Sequence, residues 1–160
     1  MKSIVIYYSY SGNTKKIAAL LSSYLKQLGE TELVELKAAD ESDIFIKQAS
    51  RGFRHIKAEL QAVNFELSQY DLICFGTPVW AFGPTPAINA YLDKCVGIED
   101  KSVVLFTTYG SGTGNTRCLN YMQTILTKKG AKDAKRFSVQ QFKVSDSNFV
   151  QEVIKEAIGE

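Results

Sequence analysis

Three short segments carry the residue types that could do chemistry. The first is Ser9-Tyr10-Ser11-Gly12-Asn13-Thr14, which follows an apolar run and leads directly into a helical pattern. Ser9, Ser11 and Thr14 offer hydroxyl donors, and Gly12 permits close backbone approach. The first turn of the following helix aims free N–H groups and a partial positive charge at the same spot. Together these make a phosphate site built from neutral donors, although the same residues also suit a plain polar turn with a helix cap. The G-x-x-x-x-G-K-[ST] pattern is absent, so this is not a Walker A loop.

The second segment is Gly76-Thr77-Pro78-Val79-Trp80-Ala81-Phe82-Gly83-Pro84-Thr85-Pro86. It holds the single Trp and all three Pro of the chain. Prolines stiffen a loop and glycines allow tight approach. Large apolar rings in such a place either tuck into the core or wall a flat aromatic ligand. The third segment is Thr107-Thr108-Tyr109-Gly110-Ser111-Gly112-Thr113-Gly114-Asn115-Thr116. It fails the dinucleotide fingerprint G-x-G-x-x-G, because Asn115 stands where that pattern needs Gly. It reads instead as a glycine loop whose backbone N–H groups could reach a ring edge, or as a mobile surface loop.

The elements that must position these segments alternate from end to end. Residues 3–8 form an apolar, β-branched run, which reads as a buried strand. Residues 14–28 are helical, with Ile17, Leu20, Leu21, Tyr24, Leu25 and Leu28 on one stripe, and Gly29 as a stop. Strands are expected over 32–36, 71–76 and 102–107, with a fifth within 134–144. Helices are expected over 86–96 with Pro at the start, over 116–129 with Lys128 and Lys129 against the dipole, and over 147–158. Residues 40 to about 60 read as a helix followed by a variable segment. Strands one, three and four are near-continuous apolar runs, the pattern of strands buried on both faces. A single α/β domain over residues 1–160 is expected, a five-stranded parallel sheet with right-handed crossovers and helices on both faces. No linker, internal repeat or low-complexity stretch interrupts it.

Composition agrees. The chain has 160 residues, 45% hydrophobic and 22% charged, enough for a core without disulfides or metal. Cys74, Cys95 and Cys118 are scattered with no CxxC pair, as expected of buried reduced thiols in the cytoplasm. The amino-terminal apolar run is too short for a signal peptide, and no run approaches a membrane span. A formal net charge of +2 gives no support to nucleic-acid binding. The basic stretches at 128–129, 132–136 and 51–57 read as solvated faces, and the single histidine, His55, as an ordinary surface or helix residue.

In a sheet of order 2-1-3-4-5, strands one, three and four lie side by side and their loops converge on one crevice. A flat mononucleotide satisfies all three loops at once. Here the residues resemble the flavodoxin family. S-x-S-G-N-T at 9–14 is similar to its FMN phosphate loop, Y-D-L-I…G-T-P-V-W at 70–80 to its third strand and first ring loop, and the glycine-rich 108–115 to its second ring loop. The resemblance implies the 2-1-3-4-5 order, with FMN at the switch between strands one and three. It also implies a short-chain form, since strand five runs into the last helix without an insertion. By resemblance Ser9, Tyr10, Ser11, Gly12, Asn13 and Thr14 hold the phosphate. Thr77, Pro78, Val79, Trp80, Ala81, Phe82 and Gly83 line one side of the ring, and Thr108, Tyr109, Gly110, Ser111 and Gly112 the other. Trp80 and Tyr109 are the leading candidates for ring contact. The chain departs from the family in lacking strong acidity and in lacking an Asp-x-Tyr-Gly pattern in the second ring loop. Both departures bear on the partner and the potential more than on the cofactor.

The function implied first is an FMN electron carrier between redox proteins, a reductase and an acceptor. It is a monomer by expectation, with a dimer as the alternative, and needs no catalytic side chain and no metal. The alternative is an NAD(P)H-dependent FMN or quinone reductase on the same fold. A flavin-free receiver module would need carboxylates at the ends of strands one and three, where Tyr8-Ser9 and Phe75-Gly76 stand instead.

Overall fold

A computed structural model describes residues 1–38, 60–110 and 112–159. The helix expected from residue 40, together with His55, the 51–57 stretch and Ser111, lies outside them. Five parallel strands form one sheet: β1 (Lys2–Tyr7), β2 (Glu30–Glu35), β3 (Leu72–Pro78), β4 (Ser102–Tyr109) and β5 (Asp133–Gln140). Their order is β2-β1-β3-β4-β5, as expected. Among the described residues four α-helices pack on it: α1 (Asn13–Lys26), α2 (Pro86–Lys94), α3 (Asn115–Lys128) and α4 (Ser147–Ile158).

Side chains alternate across a strand, so each central strand feeds two cores. Ile4, Ile6, Ile73, Phe75, Val103 and Leu105 face one side, where Ile88, Tyr91, Leu92, Cys118, Leu119 and Met122 of α2 and α3 cover them. Val5, Tyr7, Cys74, Val104 and Phe106 face the other, under Ile17, Leu21 and Leu25 of α1 and Val150 and Ile154 of α4. Each such side chain contributes about 1.5–3 kcal/mol when fully buried. β2, at one edge, is mostly exposed or half-buried, which is why it lacks the continuous apolar run of the centre.

β3 and β4 each run two residues further than their apolar runs predict. Thr77 and Pro78 pair with Thr107 and Thr108, so ring-loop candidates become strand residues. The ladder tolerates Pro78 because of direction. The Val79 amide donates to the Thr108 carbonyl at 2.9 Å, so the missing amide of Pro78 faces the β1 side, where pairing has already ended at Tyr7–Gly76. β5 stops at Gln140 and passes into a 3₁₀ turn, Gln141–Lys143, short of the expected limit at 144.

Gly76 sits at the end of the central ladder opposite Phe106. A Cβ placed there would overlap the Phe106 ring, which itself stacks on Phe137 at 5.5 Å and 9°. Gly76→Ala should therefore cost about 1–3 kcal/mol through overpacking, read as a lower urea midpoint with an unchanged slope.

Candidate functional site

At the carboxyl end of β1 the chain turns into α1 through Gly12. Gly12 is the N-cap, with φ 92° and ψ −7°, and has no side chain of its own to cap the helix. A Cβ there would meet nothing within 4 Å, so open space lies beside the turn. Ser9 Oγ accepts from the amides of Gly12 at 3.1 Å and Lys15 at 3.2 Å. The Lys16 amide returns to the Gly12 carbonyl at 3.1 Å. Helix geometry leaves the amides of Asn13 and Thr14 at the open end. The first turn holds no acidic residue, so nothing within that turn offsets the positive end of α1. Thr14 is buried, and its hydroxyl lies 2.8 Å from that of Thr108. Thus two of the three hydroxyls expected to face a phosphate, those of Ser9 and Thr14, are engaged within the protein. Ser11 is exposed.

Lys15, in the first turn, reaches Glu35 at 3.1 Å, and Lys37 reaches the same carboxylate at 3.0 Å. Partial burial acts to raise the Glu35 pKa, but hydrogen bonds and charge from Lys37 and Lys15 outweigh it and hold it below the usual range. Tyr7 is pushed up to about 12, first by burial and then by the charge and hydrogen bond of Glu35.

The segment after β3 is a closed turn. Trp80 and Gly83 exchange backbone hydrogen bonds of 2.9 and 3.0 Å. The residues between them, Ala81 and Phe82, have φ of 46° and 68°. Positive φ at both central positions is the two-residue hairpin geometry that normally selects Asn or Gly. Thr77 fastens the ends of the segment: its Oγ accepts from the Thr85 amide at 3.1 Å and donates to the Pro78 carbonyl at 2.9 Å. Trp80 is only 5% exposed. It lies edge-on to Tyr8 at 5.9 Å and to Tyr10 at 5.8 Å. The rings that face outward are instead Tyr10, 41% exposed, and Phe82, 44% exposed.

β4 ends in Thr108, buried, and Tyr109, half-buried. The Gly110 carbonyl accepts from Gln140 Nε2 at 3.0 Å, and Gly112 is exposed with φ 77°. Gly114 caps α3 with φ 91° and ψ −18°. A Cβ on it would lie 2.7 Å from Phe82 Cδ1 and 3.3 Å from Val79 Cγ1, so only glycine lets α3 start against the other ring loop. Val79, Ala81, Phe82, Tyr109, Gly110 and Thr113 line a cleft of about 140 Å³ between the two loops. Ligand sites commonly span about 300–1,000 Å³, so this cleft by itself is the size of part of a ring system. A larger cavity, about 650 Å³, lies at the amino ends of β3, β4 and β5, away from all three segments.

The structure therefore brings together the described residues of all three segments. Tyr8, Thr85, Thr113, Gly114, Arg117 and Gln140 also lie against these loops; Thr85, Thr113 and Gly114 fall inside the segments read from sequence, and Tyr8, Arg117 and Gln140 outside the residues expected at the site. One signal points to three of them: Ser11-Gly12-Asn13-Thr14-Lys15 is echoed by Thr113-Gly114-Asn115-Thr116-Arg117, a short repeat hidden by its different surroundings. The thiols take no part. Burial pushes Cys95 up to about 11, Cys118 up to about 12 and Cys74 further still. Among the described residues no group of His, Cys, Asp or Glu could hold a metal, and no helix is long and apolar enough to cross a membrane.

Parallel order, a left-handed glycine before α1 and a cleft between two ring loops define a flavodoxin-like fold. Residues 1–143 match the NADPH-dependent FMN reductase family, and the chain belongs to it. A curated relative, NAD(P)H dehydrogenase (quinone) 3 of Rhizobium meliloti, is 32% identical over 119 residues, covering 71% of this chain and 55% of its own. The chain thus spans about half the length of that relative. Among solved structures, a flavoprotein in complex with FMN from Lactobacillus acidophilus aligns with TM-score 0.69 and 24% identity over 92% of this chain and 98% of that one. Flavodoxin 1 of Bacillus cereus aligns with TM-score 0.61 and 21% identity over 97% and 98%. The open space at Gly12, beside a helix end with no acidic residue in its first turn, fits the phosphate of FMN.

Two outcomes follow from this geometry. Ala81→Gly removes a left-handed penalty of about 1–2 kcal/mol and adds about 0.4–1 kcal/mol of unfolded-chain entropy; the variant should unfold at higher urea by a net of about 0.5–1 kcal/mol. Because the Glu35 pKa is depressed by folding, its contribution is present at neutral pH and lost as pH falls through its folded pKa. The stability gap between the wild type and Glu35→Gln, followed by thermal unfolding from pH 7 to pH 3, should close at the acid end.

Proposed function

We propose that this protein is an NAD(P)H-dependent FMN reductase acting on a quinone or a similar small acceptor. The observation that carries the reading is electrostatic. Segments 1–29, 72–92 and 101–132, which supply all three loops and the helices after them, contain no Asp or Glu. An anionic dinucleotide meets no carboxylate there, whereas carriers that dock on basic partners rely on acidic surroundings. Membership in the NADPH-dependent FMN reductase family and the quinone-dehydrogenase relative support the same reading. Bound FMN supplies hydride acceptance from reduced nicotinamide and onward transfer of the electrons.

The roles of the chain are binding and exclusion. Ser11, Gly12 and the amides of Asn13 and Thr14 hold the phosphate, with Ser9 shaping the turn. Phe82 and Tyr109 bound the ring, and Trp80 braces Tyr10 from beneath. Gly110 and Gly112 present backbone at the ring edge. Transfer of electrons between proteins, set first by the sequence motifs, stands second here, because the loops carry no acidic docking surface.

The test is anaerobic addition of NADPH to the FMN-loaded protein. Loss of the oxidised flavin absorbance at a rate within the ordinary enzymatic range of about 1–10³ per second, and its return on adding a quinone, is the expected result. A flavin that NADPH and NADH both leave oxidised would assign the protein to electron carriage instead.

A further inference from the structure

We propose that Arg117 holds a phosphate of the reduced nicotinamide dinucleotide at the rim of the ring cleft. The inference rests on the reductase reading above. Arg117 lies in the first turn of α3, and its guanidinium carbon stands 5.8 Å from the centre of the Phe82 ring. Phe82 lines the cleft. Phe82 also meets the start of α3 at Gly114, so the cation over its ring stands beside the mouth of the cleft.

The comparison with Lys15 shows what is distinctive. Both residues follow a Gly-Asn-Thr turn capped by a left-handed glycine, with φ of 92° and 91°. Lys15 is neutralised by Glu35 at 3.1 Å. Arg117 makes no ion pair among the described residues, and no carboxylate occurs between residues 101 and 132. Among the described residues its charge meets no carboxylate beside this cleft. A guanidinium lying on an aromatic face keeps its planar fork available, and that fork matches two phosphate oxygens. A dinucleotide whose nicotinamide enters the cleft must trail its phosphates outward across this rim. Two phosphate groups have this chemistry, the diphosphate common to NADH and NADPH and the 2′-phosphate of NADPH alone.

The experiment is the anaerobic reductive reaction of the FMN-loaded wild type, Arg117→Ala and Arg117→Lys with NADPH and with NADH. Loss of a charge-assisted contact should raise the half-saturating donor concentration by about tenfold to a hundredfold, with the limiting rate nearly unchanged and partial recovery in Arg117→Lys. A rise for NADPH alone assigns the 2′-phosphate; an equal rise for both assigns the diphosphate. Calorimetric titration of NADP⁺ onto the same proteins should show the same weakening without turnover, while FMN affinity stays the same. Unchanged donor saturation and NADP⁺ binding would overturn the role of Arg117 and leave the reductase reading intact. So would an equal loss of FMN affinity in both variants, which would make Arg117 a support for Phe82. A wild-type flavin reduced by neither donor would overturn the reductase reading, and this inference with it.

Discussion

Parallel pairing of β1, β3 and β4 is the constraint on which everything else rests. β1 pairs with β3 as far as Tyr7–Gly76, and β3 with β4 two residues further, to Pro78–Thr108. All three segments that bear chemistry therefore leave the sheet at one edge. The connections diverge there: α1 packs on one face, and α2 and α3 on the other. A crevice at that divergence is a consequence of topology, because no helix can cover both faces at the switch. With the strand ends within two residues of one another, short bonds suffice to join the loops. The Thr14–Thr108 hydroxyl pair ties the first to the third, and the Val79 amide ties the second to the third.

Within the crevice, backbone conformation does most of the shaping. Gly12 and Gly114 start their helices from left-handed φ, which turns both helix ends toward the site. Ala81 and Phe82 adopt the same region without being glycine, and the surrounding bonds, from Trp80 to Gly83 and from Thr77 to Thr85, hold them there. Strain of this kind persists only where neighbours over-determine it, and it concentrates where ligands bind. The turn sets Phe82 outward and Trp80 inward, so one segment provides both an exposed wall and a buried brace.

Charge follows a different logic. Acidic residues are confined to other parts of the chain, and Glu35, which pairs with the first turn of α1, is held by both Lys15 and Lys37. Neutral donors and helix ends then set the potential around the cofactor, with Arg117 as the cation nearest the ring cleft among the described residues. The site attracts anions without holding a fixed counter-charge against them.

Strand identity, the central place of β1, β3 and β4, and the three site segments were determined by the sequence alone. Burial on both faces leaves an unbroken apolar run, and Gly, Ser and Thr clusters mark where such a run must end. Side-chain direction within those segments was decided only by the tertiary structure. Trp80 points inward because Tyr8 and Tyr10 flank it, and Thr14 turns to Thr108 rather than to the open cradle. Thr77 and Pro78 join β3 because β4 continues beside them. Arg117 reaches the cleft because Gly114 lets α3 meet Phe82. Each of these depends on a partner more than five residues away in the chain. Local pattern specifies which atoms a segment carries, and packing between segments specifies where those atoms point.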